Sequence, residues 1–310
     1  MQNICILGSI NMDLVLRVDR MVKSGETILS KGFQKIPGGK GANQAVAAKR
    51  LGANVCMLAS VGNDENGFSL VEALKKDDID VSNISYSDTN PTGMAIITVD
   101  DLGNNSIIVV PGANMEIDTK YVEELEKVIK NSKILVAQFE TPIEATIQAF
   151  RIAKENGVLT VLNPAPAKDI PEELLKSTDI IAPNETEAFE LTNIEVKDEE
   201  SIRKASNKFL EKGVKFVIIT LGEKGAAILD KDRLSIVPAY KVKAIDTTAA
   251  GDSFIGALTS KLVNSDVINF NSIENSIKFA NKVSSIVVQK SGAQPSLPYL
   301  EEVKETYGEE

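Results

Sequence analysis

Short apolar runs and amphipathic helical patterns alternate along most of this chain, and that alternation is what most narrows its fold. Strand-like runs lie at about 3–9, 54–61, 133–139, 158–162, 178–182, 215–221, 225–230 and 233–238. Helical periodicity lies at about 40–51, 65–76, 118–131, 142–155, 185–191, 198–211, 250–263 and 271–289. Strands separated by helix-length segments build βαβ units, whose parallel strands need helices on both faces. The expected class is α/β: a doubly wound, mainly parallel sheet. The 310 residues allow one large domain or two smaller ones. With no internal repeat or low-complexity linker, a single domain over 1–310 is expected.

Two segments break the pattern. Residues 12–36 and 92–110 carry short alternating runs (Leu14, Leu16, Val18; Ala95, Ile97, Val99; Ile107, Val109), with turns at Ser24-Gly25 and Gly103-Asn104-Asn105. These are hairpin signals. Two such insertions in a wound sheet suggest a small second sheet, serving as a lid or a dimer surface.

Composition restricts the chemistry. There is no histidine, which removes histidine-based zinc sites, Ser-His-Asp triads and histidine general bases. The formal charge of −10 argues against nucleic-acid or anionic-membrane partners, which call for basic faces. The start, MQNICILGSINMD, lacks a basic leader and reads as a first strand, not a signal peptide. No run approaches the roughly 18 apolar residues of a membrane span. Cys5 and Cys56 sit in strand-like runs and read as core thiols of a reducing compartment. The closing EEVKETYGEE reads as a solvated acidic end. A cytoplasmic protein is expected.

The most informative segment is DTTAAGDSFIGAL at 246–258. Its apolar run (Phe254, Ile255, Ala257, Leu258, Leu262) predicts a helix, so Ala249, Ala250 and Gly251 stand at the N-terminus with unpaired N–H groups. Such a terminus attracts anions. An aspartate there is ordinarily a cap, but Thr247 or Thr248 could cap this helix, leaving Asp252 surplus. Its natural role is then to take a proton from a hydroxyl that attacks a phosphoryl group.

Other segments could serve that reaction or be ordinary structure. PGGKGANQAVAAKRLG at 37–52 places glycines before a helix that opens near Asn43 and Gln44; Lys40 and Asn43 offer donors for a polyhydroxylated ligand. It is not a Walker A loop, and no G-x-G-x-x-G follows a strand. TLGEKG at 220–225 is a tight turn after a strand, plain or ligand-binding. NETE at 184–187 opens a helix, with Asn184 as a plausible cap. Glu187 could orient water around magnesium or merely complement the helix dipole. KSGAQPSLP at 290–298 ends the last long helix in a loop whose carbonyls suit a large monovalent cation.

Taken in this order, GGKGAN, NETE as an N-x-x-E motif, TLGEKG, DTTAAGDSF and GAQPS resemble the ribokinase/phosphofructokinase-B family of carbohydrate kinases from end to end. Within it, GGKGANQA and DTTAAGD are similar to the ribose-phosphorylating branch. The resemblance implies a lid that also clasps a homodimer, and transfer of the γ-phosphate of ATP to the 5-hydroxyl of ribose. It implies Asp252 as general base and the backbone of Ala249, Ala250, Gly251 and Asp252 as anion hole. Asn11, Asp13, Gly39, Lys40, Gly41, Ala42, Asn43 and Glu140 fall where the family holds the sugar. Asn184, Glu187, Thr220, Leu221, Gly222, Glu223, Lys224, Gly225 and Asn281 fall on the nucleotide side, with Mg²⁺. Asp246, Thr248, Val287, Lys290, Gly292 and Ser296 match a K⁺ site. Ser253 stands where the family commonly has threonine, and Asn281 where it has His or Asn. Alternatives are a sister kinase (deoxyribose, fructose, 2-keto-3-deoxygluconate or a nucleoside) and a silent sugar-binding regulator, which would not need Asp252. An NAD-dependent oxidoreductase lacks its fingerprint.

Overall fold

The computed structural model describes residues 3–308, so Met1, Gln2, Glu309 and Glu310, at the two ends read above, lie outside the described residues. The strands are β1 (Asn3–Leu7), β2 (Asn11–Arg17), β3 (Gly32–Gly38), β4 (Asn54–Gly62), β5 (Ile84–Ser87), β6 (Gly93–Val99), β7 (Asn105–Val110), β8 (Ile134–Ala137), β9 (Leu159–Leu162), β10 (Ile180–Ile181), β11 (Phe216–Thr220), β12 (Ala226–Leu229) and β13 (Leu234–Val237). The helices are α1 (Lys40–Arg50), α2 (Glu65–Lys76), α3 (Thr119–Glu124), α4 (Glu126–Lys130), α5 (Ile143–Glu155), α6 (Glu172–Lys176), α7 (Glu185–Thr192), α8 (Glu199–Leu210), α9 (Ala250–Leu262), α10 (Phe270–Val287) and α11 (Leu300–Tyr307).

Nine strands form the main sheet in the order β13-β12-β11-β10-β9-β8-β1-β4-β5. It is parallel from β5 through β11 and ends in the antiparallel β11–β12–β13 edge. The expected mainly parallel α/β sheet is therefore present. Successive side chains of β1 enter opposite cores: Ile4 and Ile6 pack with Val46, Leu258 and Ile277, while Cys5 and Leu7 pack with Val122, Phe150 and Ile202. A strand buried on both faces reads as a continuous apolar run, which is why ICIL was legible. Cys5 and Cys56 are buried free thiols paired in register across β1 and β4.

The winding reverses beside β1, with β4 on one side and β8 on the other. In open α/β sheets that switch point opens a crevice at the carboxyl ends of the strands, where ligands bind. A second sheet, ordered β3-β2-β6-β7, follows directly from that end of β1. The two irregular insertions supply it: β2 pairs antiparallel with β3, β6 with β7, and the parallel β2–β6 ladder joins the pairs.

Several elements differ from the sequence reading. The helix expected over 118–131 breaks at Leu125, whose N–H reaches Val122 O in a tighter turn, giving α3 and α4. The strand expected over 178–182 narrows to Ile180–Ile181. No tight hairpin turn closes β2 onto β3; the segment 18–31 links them. The acidic end is not merely solvated. Residues 300–307 form α11, seated by buried Val303 and by a Tyr307–Ser285 hydroxyl contact of 2.6 Å.

Candidate active site

Two helices converge at the carboxyl ends of the central strands. The start of α1 rests on the loop after β1, with Ala42 N donating to Ser9 O at 2.9 Å. Gly41 allows this approach, since a Cβ there would lie 2.6 Å from the Gly8 carbonyl carbon. Helix α9 packs along α1 at Gly256, where a Cβ would meet that of Ala47 at 2.5 Å. These two glycines press the GGKGAN and DTTAAGD segments together.

Their meeting point is Asp252, 8% exposed. Asn43 Nδ2 donates to its Oδ2 at 3.0 Å, and Gln44 Nε2 to its Oδ1 at 3.1 Å. The helix start above it is shaped as an anion seat. Ala249 is the N-cap in the left-handed region (φ 59°, ψ 10°), with no side-chain cap bond. Thr247 and Thr248 do not cap α9 through their side chains; Thr247 accepts the Ala250 N–H through its carbonyl, and Thr248 Oγ1 turns back to Asp246. The N–H groups of Gly251 and Asp252 have no partner among the described residues. Orphan donors at a helix start, next to open space at Gly251, suit an incoming anion.

A carboxylate cluster surrounds this point. Glu140 accepts the Ser9 hydroxyl and the Lys40 N–H (3.1 Å), so it also completes the start of α1. Asp13 projects from β2, and burial, with the charges of Glu140 and Asp252, pushes its carboxyl up to about 7. Burial raises Glu187 as well, with Asp252 adding to it against the hydrogen bond from Asn184 and the charge of Lys40. Burial works to lower Lys40, but Asp252, Glu140 and Glu187 outweigh it and hold its ammonium above the usual range. Lys40 is thus the cation among four carboxylates. Asn11 is buried beside them, its Oδ1 accepting Asn114 Nδ2 at 2.7 Å. Gly39 is the left-handed N-cap of α1.

The residues expected on the nucleotide side form a neighbouring rim. Asn184 and Glu187 make a full capping box on α7, with Glu187 Oε2 accepting Asn184 N–H at 2.9 Å. A bridge between Asn184 and Thr220 brings the end of β11 alongside. Leu221 N donates to Gly225 O at 2.8 Å, closing an exposed turn of Gly222, Glu223 and Lys224. Asn281 is buried, and its amide donates to Val237 O and Pro238 O at 3.1 Å each. Its donors therefore hold the exit of β13 instead of facing a ligand.

The cation candidates group only partly. Asp246 Oδ1 accepts Thr248 N and Oγ1 at 2.9 and 2.6 Å, and Oδ2 accepts Gly292 N at 2.9 Å. Burial works against these bonds, yet they hold the carboxyl below its ordinary value. Val287 O accepts Lys290 N, Lys290 Nζ pairs with Glu302, and Ser296 Oγ donates to Ala293 O. Among the described residues, none of these three hydrogen-bonds to Asp246. Val288, which sequence reasoning missed, does: its carbonyl accepts the Ile245 and Asp246 N–H groups.

Sequence reasoning also passed over Gln44, Gln138, Asn163, Asn114 and Ser9. The first three form one buried amide chain with Asp252: Gln138 Nε2 donates to Gln44 Oε1 at 2.6 Å, and Gln44 Nε2 to Asn163 Oδ1 at 3.1 Å. Neutral amides scattered over the chain carry no local signal; the only hint was Gln44 beside Asn43 at a helix start.

The model of the pfkB family of carbohydrate kinases matches residues 1–300. A ribokinase of Staphylococcus aureus (strain COL) is 47% identical over 303 residues, 97% of this chain and 98% of that protein. A bifunctional ribokinase/ribose-5-phosphate isomerase A of Fructilactobacillus sanfranciscensis is 45% identical over 98% of this chain, which spans 56% of that relative's length. The solved structure of an Arabidopsis thaliana ribokinase complexed with ribose and ATP is similar with a TM-score of 0.92 at 33% identity, covering 98% of each chain.

Proposed function

This chain belongs to the pfkB family of carbohydrate kinases, and from that premise we propose that it transfers the γ-phosphoryl group of ATP to the 5-hydroxyl of D-ribose. The observation that carries the reading is the seating of Asp252, a buried carboxylate held by Asn43 and Gln44 directly beneath an unpaired helix start. Phosphoryl transfer runs through a loose transition state, so positioning and charge stabilisation dominate. A base is needed only as the attacking oxygen becomes acidic, and an aspartate suffices; this is how a chain without histidine performs the step.

In this reading Asp13, Asn11, Lys40 and Asn43 hold the sugar hydroxyls under the β2–β3–β6–β7 sheet. Asp252 accepts the proton of the 5-hydroxyl, and the N–H groups of Gly251 and Asp252 take the charge of the transferred phosphoryl. The rim of Asn184, Thr220 and the 222–225 turn flanks the nucleotide. No group of three His, Cys, Asp or Glu poised for a metal occurs among the described residues. That fits Mg²⁺, which keeps several waters and binds chiefly through nucleotide phosphates. Glu187 would order one of those waters, and the ion would supply charge neutralisation at the phosphates. A K⁺ held near Asp246 and Thr248 would order the start of α9 from behind.

The small sheet also supports a homodimer, since Phe33, Ile107, Ile108 and Val109 are each at least half exposed on it. No helix among the described residues is long and apolar enough to cross a membrane; we read the chain as a cytoplasmic protein. ADP release over a panel of ribose, deoxyribose, fructose, 2-keto-3-deoxygluconate and nucleosides tests the assignment. Ribose-dependent turnover exceeding the others is expected, and preference for another sugar would overturn the ribose reading.

A further inference from the structure

Gln44 is fully buried, and each of its polar atoms has a fixed partner. One N–H of Nε2 goes to Asp252 Oδ1 and the other to Asn163 Oδ1, while Oε1 accepts Gln138 Nε2. Asn163 is itself locked, because its Nδ2 donates to Ala182 O at 3.0 Å. Flipping the Gln44 amide would set its oxygen against the Asp252 and Asn163 oxygens, so its polarity is determined by two acceptors at once. Gln138 and Asn163 follow the ends of β8 and β9, and Ala182 follows β10, whereas Gln44 rides on α1 and Asp252 on α9. A donor on α1, itself held by residues at the ends of the sheet strands, therefore reaches Oδ1 of the carboxylate.

We infer that Gln44 is a positioning residue for phosphoryl transfer: it pins Oδ1 of Asp252 to the buried amide chain and leaves Oδ2, shared only with Asn43, as the oxygen that takes the sugar proton. The other charged groups facing this point are Asp13 from β2, Lys40 from α1, Glu187 from α7 and Glu140 behind Lys40. All of them are present in both variants below, so a difference between variants reports Gln44.

This inference rests on the sugar-kinase reading, and the experiment separates the two. Steady-state kinetics with ribose and ATP are measured against pH for the wild-type enzyme, Gln44→Leu and Gln44→Glu. Wild-type turnover without sugar dependence would count against the kinase reading itself. With wild-type ribose phosphorylation established, Gln44→Leu is expected to lower kcat about 10- to 100-fold. The KM for ATP stays within about twofold of the wild type. Gln44→Glu keeps an acceptor for Gln138 and guards against Gln44→Leu failing to fold. When ionised, its carboxylate repels Asp252; when protonated, its O–H donates to Oδ1. Its activity relative to wild type is therefore expected to recover as pH falls. Wild-type kcat in either folded variant, or a reduced kcat in Gln44→Glu whose ratio to wild type does not rise as pH falls, would overturn the assignment.

Discussion

Gly251→Ala separates the fold from the chemistry more cleanly than any substitution of a charged residue. Gly251 is the second residue of α9, it is not among the positive-φ glycines, and a Cβ built on it meets nothing within 4 Å. Nothing in the protein therefore resists the methyl group. Replacing a helical glycine by alanine is worth up to about 1 kcal/mol in a helix interior. Near the first turn, about 0.5 kcal/mol is the fair share, part of it through the unfolded chain. For a chain of this size that corresponds to a rise in Tm of about 1–2 °C. The same methyl enters the space beside the unpaired N–H groups of Gly251 and Asp252, where the phosphoryl oxygens would come to rest. Alanine keeps its N–H, so the effect is steric: displacing the phosphoryl from one such donor is equivalent to losing it, roughly 10²–10³ in kcat, about 3–4 kcal/mol. The expected result is a slightly more stable protein whose ribose-dependent ADP release is lower by that factor. Differential scanning fluorimetry and a coupled ADP assay on the same preparation read both quantities. Turnover within threefold of wild type would show that no anion occupies this helix start. A fall in Tm would show that the space beside Gly251 is not open.

Other substitutions test neighbouring parts of the argument. Asp252→Asn keeps the shape but sets an NH₂ against one of the two amide donors, and kcat is expected to fall about 10²–10⁴-fold; near-normal turnover would remove Asp252 as base. Asp13 holds its proton up to about 7 in the fold, well above the ordinary carboxylate value, so the folded state binds more protons than the unfolded one between roughly pH 4 and 7 and stability falls as pH rises through that window. Asp13→Asn should flatten that slope, adding about 1–2 kcal/mol at pH 8 after allowance for solvent screening, while weakening ribose binding. Unchanged denaturation midpoints across pH would refute it. Ala249→Gly removes a left-handed alanine, strained by about 1 kcal/mol against the entropy glycine adds; stability is expected to change by less than 1 kcal/mol in urea titration, with a loosened helix start raising the KM for ATP. Finally, activity equal in sodium-only and potassium buffers would dismiss the K⁺ reading of Asp246 and Thr248.

Much of the fold was legible because its signals are local. A strand buried on both faces must be apolar throughout, as ICIL is, and an amphipathic helix must repeat its apolar residues on one side, as Phe254, Ile255, Leu258 and Leu262 do. The misreadings arose where tertiary context overrode those signals. The break at Leu125 has no punctuating glycine or proline beside it. Helix α11 is acidic and solvated on one side, and tertiary contacts hold it as an ordered element: Leu300, Val303 and Tyr307 on the core, and the Lys290–Glu302 ion pair.

The sequence alone determined the class of fold, the exclusion of histidine chemistry and the two loop-to-helix segments that carry Asn43 and Asp252, because patterning, composition and short motifs are properties of neighbouring residues. Tertiary structure alone decided what surrounds the base. Asn43 and Gln44 meet Asp252 across 209 and 208 residues of chain, an approach that depends on close packing of α1 against α9 at Gly256. It also decided that Gln44, Gln138 and Asn163 form a chain and that the Asn281 amide turns away to backbone carbonyls. A neutral amide has no pattern in sequence; its role is set by which donors and acceptors the folded chain brings within hydrogen-bond distance.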